Sequence, residues 1–100
     1  MTEVLKNYVN GSWIDSRTDR LLDVINPATD EVLGKVPLST RDEVNEAIEA
    51  ASEAFKEWRQ TPPVERARYL YKLQALIEEN FEEISRMVTR EEGKNIKSAR

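Results

Sequence analysis

The sequence predicts an α/β chain in which short strands come first and three to four helices follow. Residues 7–38 hold β-branched and aromatic residues between turn signals such as Asn10-Gly11 and Asn26-Pro27. Residues 40–100 instead repeat apolar residues at steps of three and four, the spacing of an amphipathic helix. We therefore expect one domain over residues 1–100, with a strand region at 7–38 and a helical region at 40–100.

The strand region opens with a hairpin over residues 7–14. Asn10-Gly11 favours a type I′ turn, because both of its central positions need a positive φ. The hairpin is either an adhesive edge for another domain or subunit, or a surface hairpin that pins the terminus. Strands at Leu21–Ile25 and Val32–Val36 follow, and the polar connection between them predicts an antiparallel pair. Asn26, before a proline that cannot extend a strand, is a candidate to hold a structural hydrogen bond or to line a site, but the pattern favours a turn residue that bonds its own backbone.

Thr40-Arg41-Asp42-Glu43 predicts the start of the first helix, which we expect over residues 40–59. The Thr40 hydroxyl accepts from the third helical N–H, and Glu43 reaches back to the N-terminal cap. One apolar stripe then follows the helix at helical spacing and is expected to be buried. Its members are Val44, Ala47, Ile48, Ala51, Phe55 and Trp58.

Thr61-Pro62-Pro63 ends this helix and begins a second over residues 62–79, because proline is tolerated in a first helical turn. The expected buried side of the second helix consists of Ala67, Leu70, Tyr71, Leu73, Gln74 and Ile77.

Asn80-Phe81-Glu82-Glu83 predicts a second capping box and therefore a new helix. In that helix Glu82 is expected to pair with Arg86 four residues later. Gly93 fits the left-handed position after a helix, and Asn95 to Arg100 predict the beginning of a fourth helix. The inward side of the third helix is expected to hold Phe81, Ile84, Met87 and Val88.

The sequence contains no Cys and no His. Within these residues this excludes disulfides, cysteine nucleophiles, His-based triads and thiolate or imidazole metal sites. The glycines, at positions 11, 34 and 93, do not fit a dinucleotide- or phosphate-binding loop. The carboxylates of Glu78, Glu79, Glu82 and Glu83 are expected to face water. We therefore predict no catalytic, cofactor-binding or metal-ligating residue in this chain.

The net charge is −4, and the basic residues are interleaved with glutamates. This pattern argues against nucleic-acid binding, which needs a basic patch to neutralise phosphates. Residues 1–6 hold no apolar signal-peptide core, and no apolar run approaches the ~20 residues that span a bilayer. We expect a cytoplasmic protein with no membrane partner.

Four stretches in register resemble the N-terminal region of the aldehyde dehydrogenase superfamily. They are Tyr8-Val9-Asn10-Gly11-Ser12-Trp13, the run from Asn26-Pro27-Ala28-Thr29 to Val36-Pro37, the helix from Ala47 to Trp58, and Glu91-Glu92-Gly93-Lys94. Within the superfamily, residues 5–11, the Asn-Pro-Ala-Thr run and Gly93-Lys94-Asn95 most resemble the methylmalonate-semialdehyde dehydrogenases, which acylate coenzyme A.

This resemblance implies that residues 1–100 are a single partial domain, the N-terminal part of a Rossmann-like dinucleotide-binding domain in a larger enzyme. That enzyme would be NAD-dependent and would oxidise methylmalonate or malonate semialdehyde through a cysteine thioester located beyond residue 100. Coenzyme A would be its co-substrate and would take the acyl group. The partners of this segment would be the remainder of the chain and, in a homo-tetramer or homo-dimer, identical subunits. The segment itself would be scaffold, inactive alone and binding no cofactor alone.

Two alternatives remain open. One is another semialdehyde dehydrogenase of the same superfamily. The other is a non-catalytic α+β interaction module, which the absence of Cys and His in these residues favours.

Overall fold

The computed structural model describes residues 3–100; Met1 and Thr2, which begin the stretch without a signal-peptide core, lie outside it. Within the described range four strands precede four helices, as the sequence predicts. They are β1 (Asn7–Val9), β2 (Ser12–Ile14), β3 (Leu21–Ile25), β4 (Val32–Pro37), α1 (Arg41–Trp58), α2 (Pro63–Glu79), α3 (Phe81–Glu92) and α4 (Ile96–Ala99).

The chain forms two compact units. The first contains all four strands and α1, and it extends to Arg59 except for the connection between β3 and β4. The second consists of that connection, Asn26–Glu31, together with Gln60–Arg100, and so contains α2, α3 and α4.

In the first unit, β1 and β2 form the predicted hairpin. Tyr8 lies opposite Trp13, and their ring centroids are 4.9 Å apart. Asn10 and Gly11 have φ values of 51° and 79°, which confirms the turn read from these two residues.

β3 and β4 form the predicted antiparallel pair, with Asp23 opposite Lys35 and a 2.8 Å ion pair between their side chains. Lys35 also bonds the preceding segment through its backbone: its N–H donates to the carbonyl of Glu3, and its carbonyl accepts from Leu5, both at 2.8 Å. Gly34 is buried on this edge, and a Cβ there would lie 3.4 Å from the Glu3 carbonyl oxygen.

α1 begins at the predicted capping box. The Thr40 hydroxyl accepts from the Glu43 N–H, and the Glu43 carboxylate accepts from the Thr40 N–H. The helix ends at Trp58, within one residue of the expected boundary.

In the second unit, Asn26–Glu31 is a turn closed by its own bonds. Asn26 Oδ1 accepts from the Ala28 N–H at 2.9 Å, and the Asn26 carbonyl accepts from Asp30 at 2.8 Å. Asn26 is thus the self-bonding turn residue that was expected.

The predicted break at Asn80 is present, but its predicted cause is wrong. Asn80 separates α2 from α3 with φ −106° and ψ 22°, and its side chain caps no N–H of α3. Its amide group instead donates backward to the Leu76 carbonyl at 2.8 Å. The Leu76 carbonyl also accepts from the Asn80 backbone N–H at 3.1 Å, so the side chain adds a second donor at the end of α2 and does not cap the start of α3.

The ends of α3 and α4 follow the sequence more closely. Gly93 has φ 83° and ends α3 as the left-handed residue expected there. Asn95 accepts from the Ser98 N–H at 2.9 Å and caps α4, the predicted fourth helix.

The predicted pair of Glu82 with Arg86 is wrong. Glu82 pairs instead with Arg100, which donates two hydrogen bonds to its carboxylate.

The predicted burial of the helix faces is also wrong. No apolar residue is buried among residues 3–100, and the stripes of α1, α2 and α3 remain largely open to solvent. Phe55 is 57% exposed and Leu70 66% exposed. The periodicity identified the apolar faces correctly, but nothing in the described residues covers them. Among these residues no helix is long and apolar enough to cross a membrane.

Candidate functional site

The chain's main surface feature is apolar area that its own residues leave uncovered. Its accessible surface is 8510 Å², whereas a folded monomer of 11.6 kDa exposes about 5,800 Å². The excess is above the roughly 1,000–2,500 Å² that each partner buries in an obligate protein interface. The apolar faces are therefore the candidate site, and three grooves lie along them.

The first groove, here the hairpin groove, lies between the β1–β2 hairpin and α1 in the first unit. It has a volume of about 440 Å³. Its apolar lining comes from both elements and includes Tyr8, Val9, Ile14, Val44, Ala47 and Ile48. Both alternatives for the hairpin, an adhesive edge and a surface hairpin that pins the terminus, stay predictions.

The second groove, here the α2–α3 groove, lies in the second unit and has a volume of about 450 Å³. Its lining is mostly aliphatic: Leu73, Leu76, Ile77, Ile84 and Met87, with Asn80 and Glu83. The sequence marks four of these residues as inward, namely Leu73, Ile77, Ile84 and Met87, whereas it predicts that Glu83 faces water. Such a surface is suited to packing against further protein.

The third groove, here the arginine groove, also lies in the second unit, between α3 and α4. Its volume is about 630 Å³. Unlike the other two it is rich in cations, with Arg86, Arg90 and Arg100 lining it beside Met87 and Ile96. Nothing in the sequence predicts this groove, since the return of α4 along α3 has no local sequence signal.

Glu43 is the most connected polar group of the first unit and only 9% exposed. Its Oε1 accepts from the Ser16 hydroxyl at 3.0 Å and from the Arg17 N–H at 3.3 Å, in addition to the backbone and hydroxyl of Thr40. Arg17 also pairs with Glu46 one turn later, at 3.1 Å. The first turn of α1 therefore anchors the loop that precedes β3.

These bonds lower the pKa of Glu43. The largest cause is the hydrogen bond from Ser16, and the bonds from Thr40 and Arg17 act in the same direction, while burial opposes them. A carboxylate that accepts several hydrogen bonds on one oxygen is stabilised in its charged form. Glu43 is therefore a structural anion and is poorly suited to act as a general acid or base near neutral pH.

Two of the stretches that carry the family resemblance meet in the second unit. A Cβ built on Gly93 would lie 2.8 Å from Pro27 Cγ. The Asn-Pro-Ala-Thr turn therefore packs against the end of α3, where Glu-x-Gly-Lys is located. Their contact gives both stretches a structural role.

No residue was assigned to catalysis, to a cofactor or to a metal, and that assignment stays a prediction. The carboxylates of Glu78, Glu79, Glu82 and Glu83 are exposed to solvent, as expected. Among residues 3–100 no three His, Cys, Asp or Glu side chains are grouped closely enough to hold a metal ion.

Comparison with known proteins decides the family. The model of the "Aldehyde dehydrogenase family" matches residues 13–100. The chain belongs to the aldehyde dehydrogenase family. The resemblance found in the sequence is thereby confirmed.

The relatives of this aldehyde dehydrogenase chain are named for semialdehydes and related substrates. It is 50% identical over 95 residues to malonate-semialdehyde dehydrogenase 2 of Oceanobacillus iheyensis. The matched region covers 95% of this chain and 20% of that relative. The solved structure of putative methylmalonate-semialdehyde dehydrogenase from Sinorhizobium meliloti 1021, complexed with NAD, is 34% identical and covers 99% of this chain, with a TM-score of 0.91. Lactaldehyde dehydrogenase from Escherichia coli is 35% identical, with a TM-score of 0.95 over 99% of this chain.

These superpositions confirm the α/β fold of an aldehyde dehydrogenase N-terminal segment. The chain spans about a fifth of the length of its relatives, 20% of the Sinorhizobium structure and 21% of the Escherichia one. The uncovered apolar faces therefore lie on a segment that, in those relatives, accompanies a much longer polypeptide.

Proposed function

We propose that this chain is the N-terminal scaffold segment, a single partial domain over residues 1–100, of an NAD-dependent enzyme that oxidises malonate or methylmalonate semialdehyde. Coenzyme A is the proposed acceptor of the acyl group, and the catalytic cysteine is assigned to polypeptide beyond residue 100. The observation that carries the proposal is the 50% identity, over nearly the whole chain, to a relative named malonate-semialdehyde dehydrogenase 2.

The glycines of this chain do not form a dinucleotide-binding loop. A phosphate-binding loop needs glycines whose backbone stays open to the ligand. Here Gly11 forms the hairpin turn, Gly34 packs on the Glu3 carbonyl and Gly93 packs on Pro27. We therefore assign NAD and coenzyme A to the remaining polypeptide and derive no chemical step from these residues.

The scaffold role is supported by the apolar faces. An excess of roughly 2,700 Å² of exposed surface is unfavourable for a chain that works alone in water. Covering it with the remaining polypeptide would convert the stripes of α1, α2 and α3 into core. In this role, residues 1–100 position the enzyme's other parts and touch no reacting atom. Assembly into a homo-dimer or homo-tetramer and a cytoplasmic location are parts of the same proposal.

The test is the substrate preference of the polypeptide encoded by the complete reading frame. Purified protein is given NAD⁺, coenzyme A and either malonate semialdehyde, methylmalonate semialdehyde or lactaldehyde, and NADH is followed by its absorbance. We expect turnover with the two semialdehydes, formation of an acyl-coenzyme A, and at least tenfold lower kcat/KM with lactaldehyde. Preference for lactaldehyde, or product formation that is independent of coenzyme A, would instead favour another dehydrogenase of the family.

The non-catalytic interaction module is the competing function. It predicts that the reading frame encodes no cysteine nucleophile and that no aldehyde supports NAD⁺ reduction under any of these conditions.

A further inference from the structure

We propose that the arginine groove binds an acidic, partly apolar polypeptide segment contributed by the remainder of the enzyme, with Arg86 and Arg90 as the groups that recognise its carboxylates. The proposal rests on the proposed function, because it requires that remainder to exist. It goes further in naming the chemistry of one docking contact.

The groove carries a concentration of positive charge that is unusual for this chain. The whole sequence has 19 acidic and 15 basic residues, yet three arginines line the groove against the single carboxylate of Glu83. Arg86 and Arg90 are four residues apart on α3, a spacing at which like charges repel. Within residues 3–100 neither of them forms an ion pair. Their charges therefore remain available to an incoming anion.

Arg100, unlike the other two arginines, is already paired with a carboxylate. Its guanidinium holds both carboxylate oxygens of Glu82, at 2.9 and 3.1 Å. Two parallel hydrogen bonds of this kind fix orientation as well as charge. Arg100 therefore tethers the end of α4 to the start of α3 and forms a wall of the groove, whereas Arg86 and Arg90 supply the unpaired cations.

The rest of the lining indicates what accompanies the carboxylates. Met87 is 44% exposed, and Ile96 adds a second apolar side chain. Thr89 also lines the groove, and its buried hydroxyl has no hydrogen-bond partner within residues 3–100. Buried hydroxyls are normally paired, so this one points to a missing polar neighbour.

The size of the groove favours a polypeptide segment over a small ion. A volume of about 630 Å³ is within the range of pockets that hold drug-sized groups, and an inorganic anion would not fill it. A segment with carboxylates beside aliphatic residues would complement this lining. Its carboxylates would bind the two unpaired guanidiniums, and its aliphatic residues would contact the apolar side chains. Arginine suits this partner, because its planar guanidinium binds a carboxylate at two points.

The experiment is arginine labelling with phenylglyoxal, mapped by mass spectrometry. The 100-residue chain and the polypeptide from the complete reading frame are labelled in parallel, and each arginine's rate is divided by its rate in urea. We expect Arg86 and Arg90 to react freely in the 100-residue chain and at least tenfold more slowly in the complete polypeptide. Equal rates for these two arginines in both proteins would overturn the proposal.

Two further arms separate other occupants. Labelling of the 100-residue chain is repeated over a hundredfold range of protein concentration, and again with millimolar inorganic phosphate or acetate. We expect that neither the protein concentration nor the added anion changes the labelling rates of Arg86 and Arg90. Protection that rises with chain concentration would assign the groove to a second copy of this chain. Protection by phosphate or acetate would assign it to a small anion, and either result would overturn the proposal.

A variant gives a second measurement in the complete polypeptide. The double substitution Arg86→Gln and Arg90→Gln should lower the thermal midpoint by several degrees more than the double control Arg59→Gln and Arg68→Gln, which changes two exposed arginines outside the groove. Equal shifts for the double and the control variant would count against the groove.

Failure of this proposal can be told from failure of the proposed function. A complete polypeptide that oxidises the semialdehydes but labels freely at Arg86 and Arg90 would overturn only the docking contact. One that protects these arginines but reduces no NAD⁺ would overturn only the activity.

Discussion

Gly93 leaves the space that the ring of Pro27 occupies: a Cβ on Gly93 would lie 2.8 Å from Pro27 Cγ. The two residues are 66 positions apart in the sequence, and each belongs to a stretch typical of aldehyde dehydrogenases. Gly93 also has φ 83°, a conformation that residues with a Cβ rarely adopt. Backbone geometry and packing thus both favour glycine at position 93.

Gly93→Ala should therefore destabilise the chain through two effects. The left-handed backbone accounts for about 1–2 kcal/mol, and the overlap with Pro27 adds about 1–3 kcal/mol. Gly11→Ala is the matched control, because Gly11 has φ 79° with nothing within 4 Å of the added Cβ. Denaturant melts of the two variants should differ by the packing cost alone. Equal losses of stability would show that the contact with Pro27 is unimportant.

Pro27→Ala tests the same contact from the other side, since it removes the ring atom nearest to Gly93. In that background Gly93→Ala should cost only the backbone share, about 1–2 kcal/mol. The two substitutions should be coupled by about 1 kcal/mol or more in a double-mutant cycle. Simple additivity of the two changes would contradict the packing explanation.

The cap of α1 should contribute more to stability than Asn80. Thr40→Ala removes both the cap and a donor to Glu43, and should cost about 0.5–2 kcal/mol. Asn80→Ala removes one exposed bond to a carbonyl and should change stability by no more than about 0.5 kcal/mol. Both are measured as shifts in the urea midpoint at unchanged slope. A loss of 1 kcal/mol or more at Asn80 would restore the capping role that the sequence predicts.

The stability of the first unit should depend on the charge of Glu43. Its pKa is lowered in the folded chain, first by the Ser16 hydrogen bond, so folding favours the carboxylate. The resulting stabilisation is complete above the ordinary glutamate pKa of about 4.3 and disappears as the pH falls through the lower folded value. The urea midpoint of the native sequence should therefore exceed that of Glu43→Gln at pH 7, and the difference should shrink with acid below pH 5.

Glu53→Gln is the control for that pH series, because Glu53 is exposed and pairs only with Lys56 three residues later on the same helix. Its midpoint should follow the native sequence at every pH. If the urea midpoints of the native sequence and Glu43→Gln differ by the same amount from pH 7 to pH 3, the proposed stabilising role of the Glu43 carboxylate is contradicted.

Phe55 should contribute little to the 100-residue chain and much to the complete polypeptide. It is 57% exposed, so Phe55→Ala in the chain alone should cost no more than about 1 kcal/mol. If the remaining polypeptide covers α1, the same change should cost about 3–5 kcal/mol, as for a buried phenylalanine. Thermal or denaturant melts of both proteins give the comparison, and similar small costs in both would show that this face stays open.

Local signals in the sequence predicted the elements well. The hairpin at Asn10-Gly11 needs only two residues that tolerate positive φ, and the start of α1 needs only Thr40 and Glu43. Each of these interactions spans a few residues, so the sequence pattern contains all the participants. The predicted capping role of Asn80 was wrong because Asn-x-x-Glu is compatible with both the end of one helix and the start of the next. In the structure the Asn80 side chain bonds the end of α2.

Longer-range features could not be predicted in this way. The stripe that includes Leu70 marks an apolar face of α2. Periodicity does not reveal whether the residues that cover this face lie within residues 1–100 or elsewhere. Glu82 forms its ion pair with Arg100, 18 residues away, and not with Arg86 at helical spacing, because α4 returns along α3. The arginine groove depends on that return and therefore had no signal in the sequence. The contact of Gly93 with Pro27 likewise depends on packing across 66 positions.

The most direct test of the scaffold role compares NAD⁺ reduction by two preparations under one set of conditions. The purified 100-residue chain and the polypeptide from the complete reading frame are each given malonate semialdehyde, NAD⁺ and coenzyme A, and absorbance of NADH is recorded. We expect turnover only from the complete polypeptide, because the 100-residue chain has no cysteine to form the thioester. Reproducible turnover by the 100-residue chain would contradict the assignment of the chemistry to polypeptide beyond residue 100.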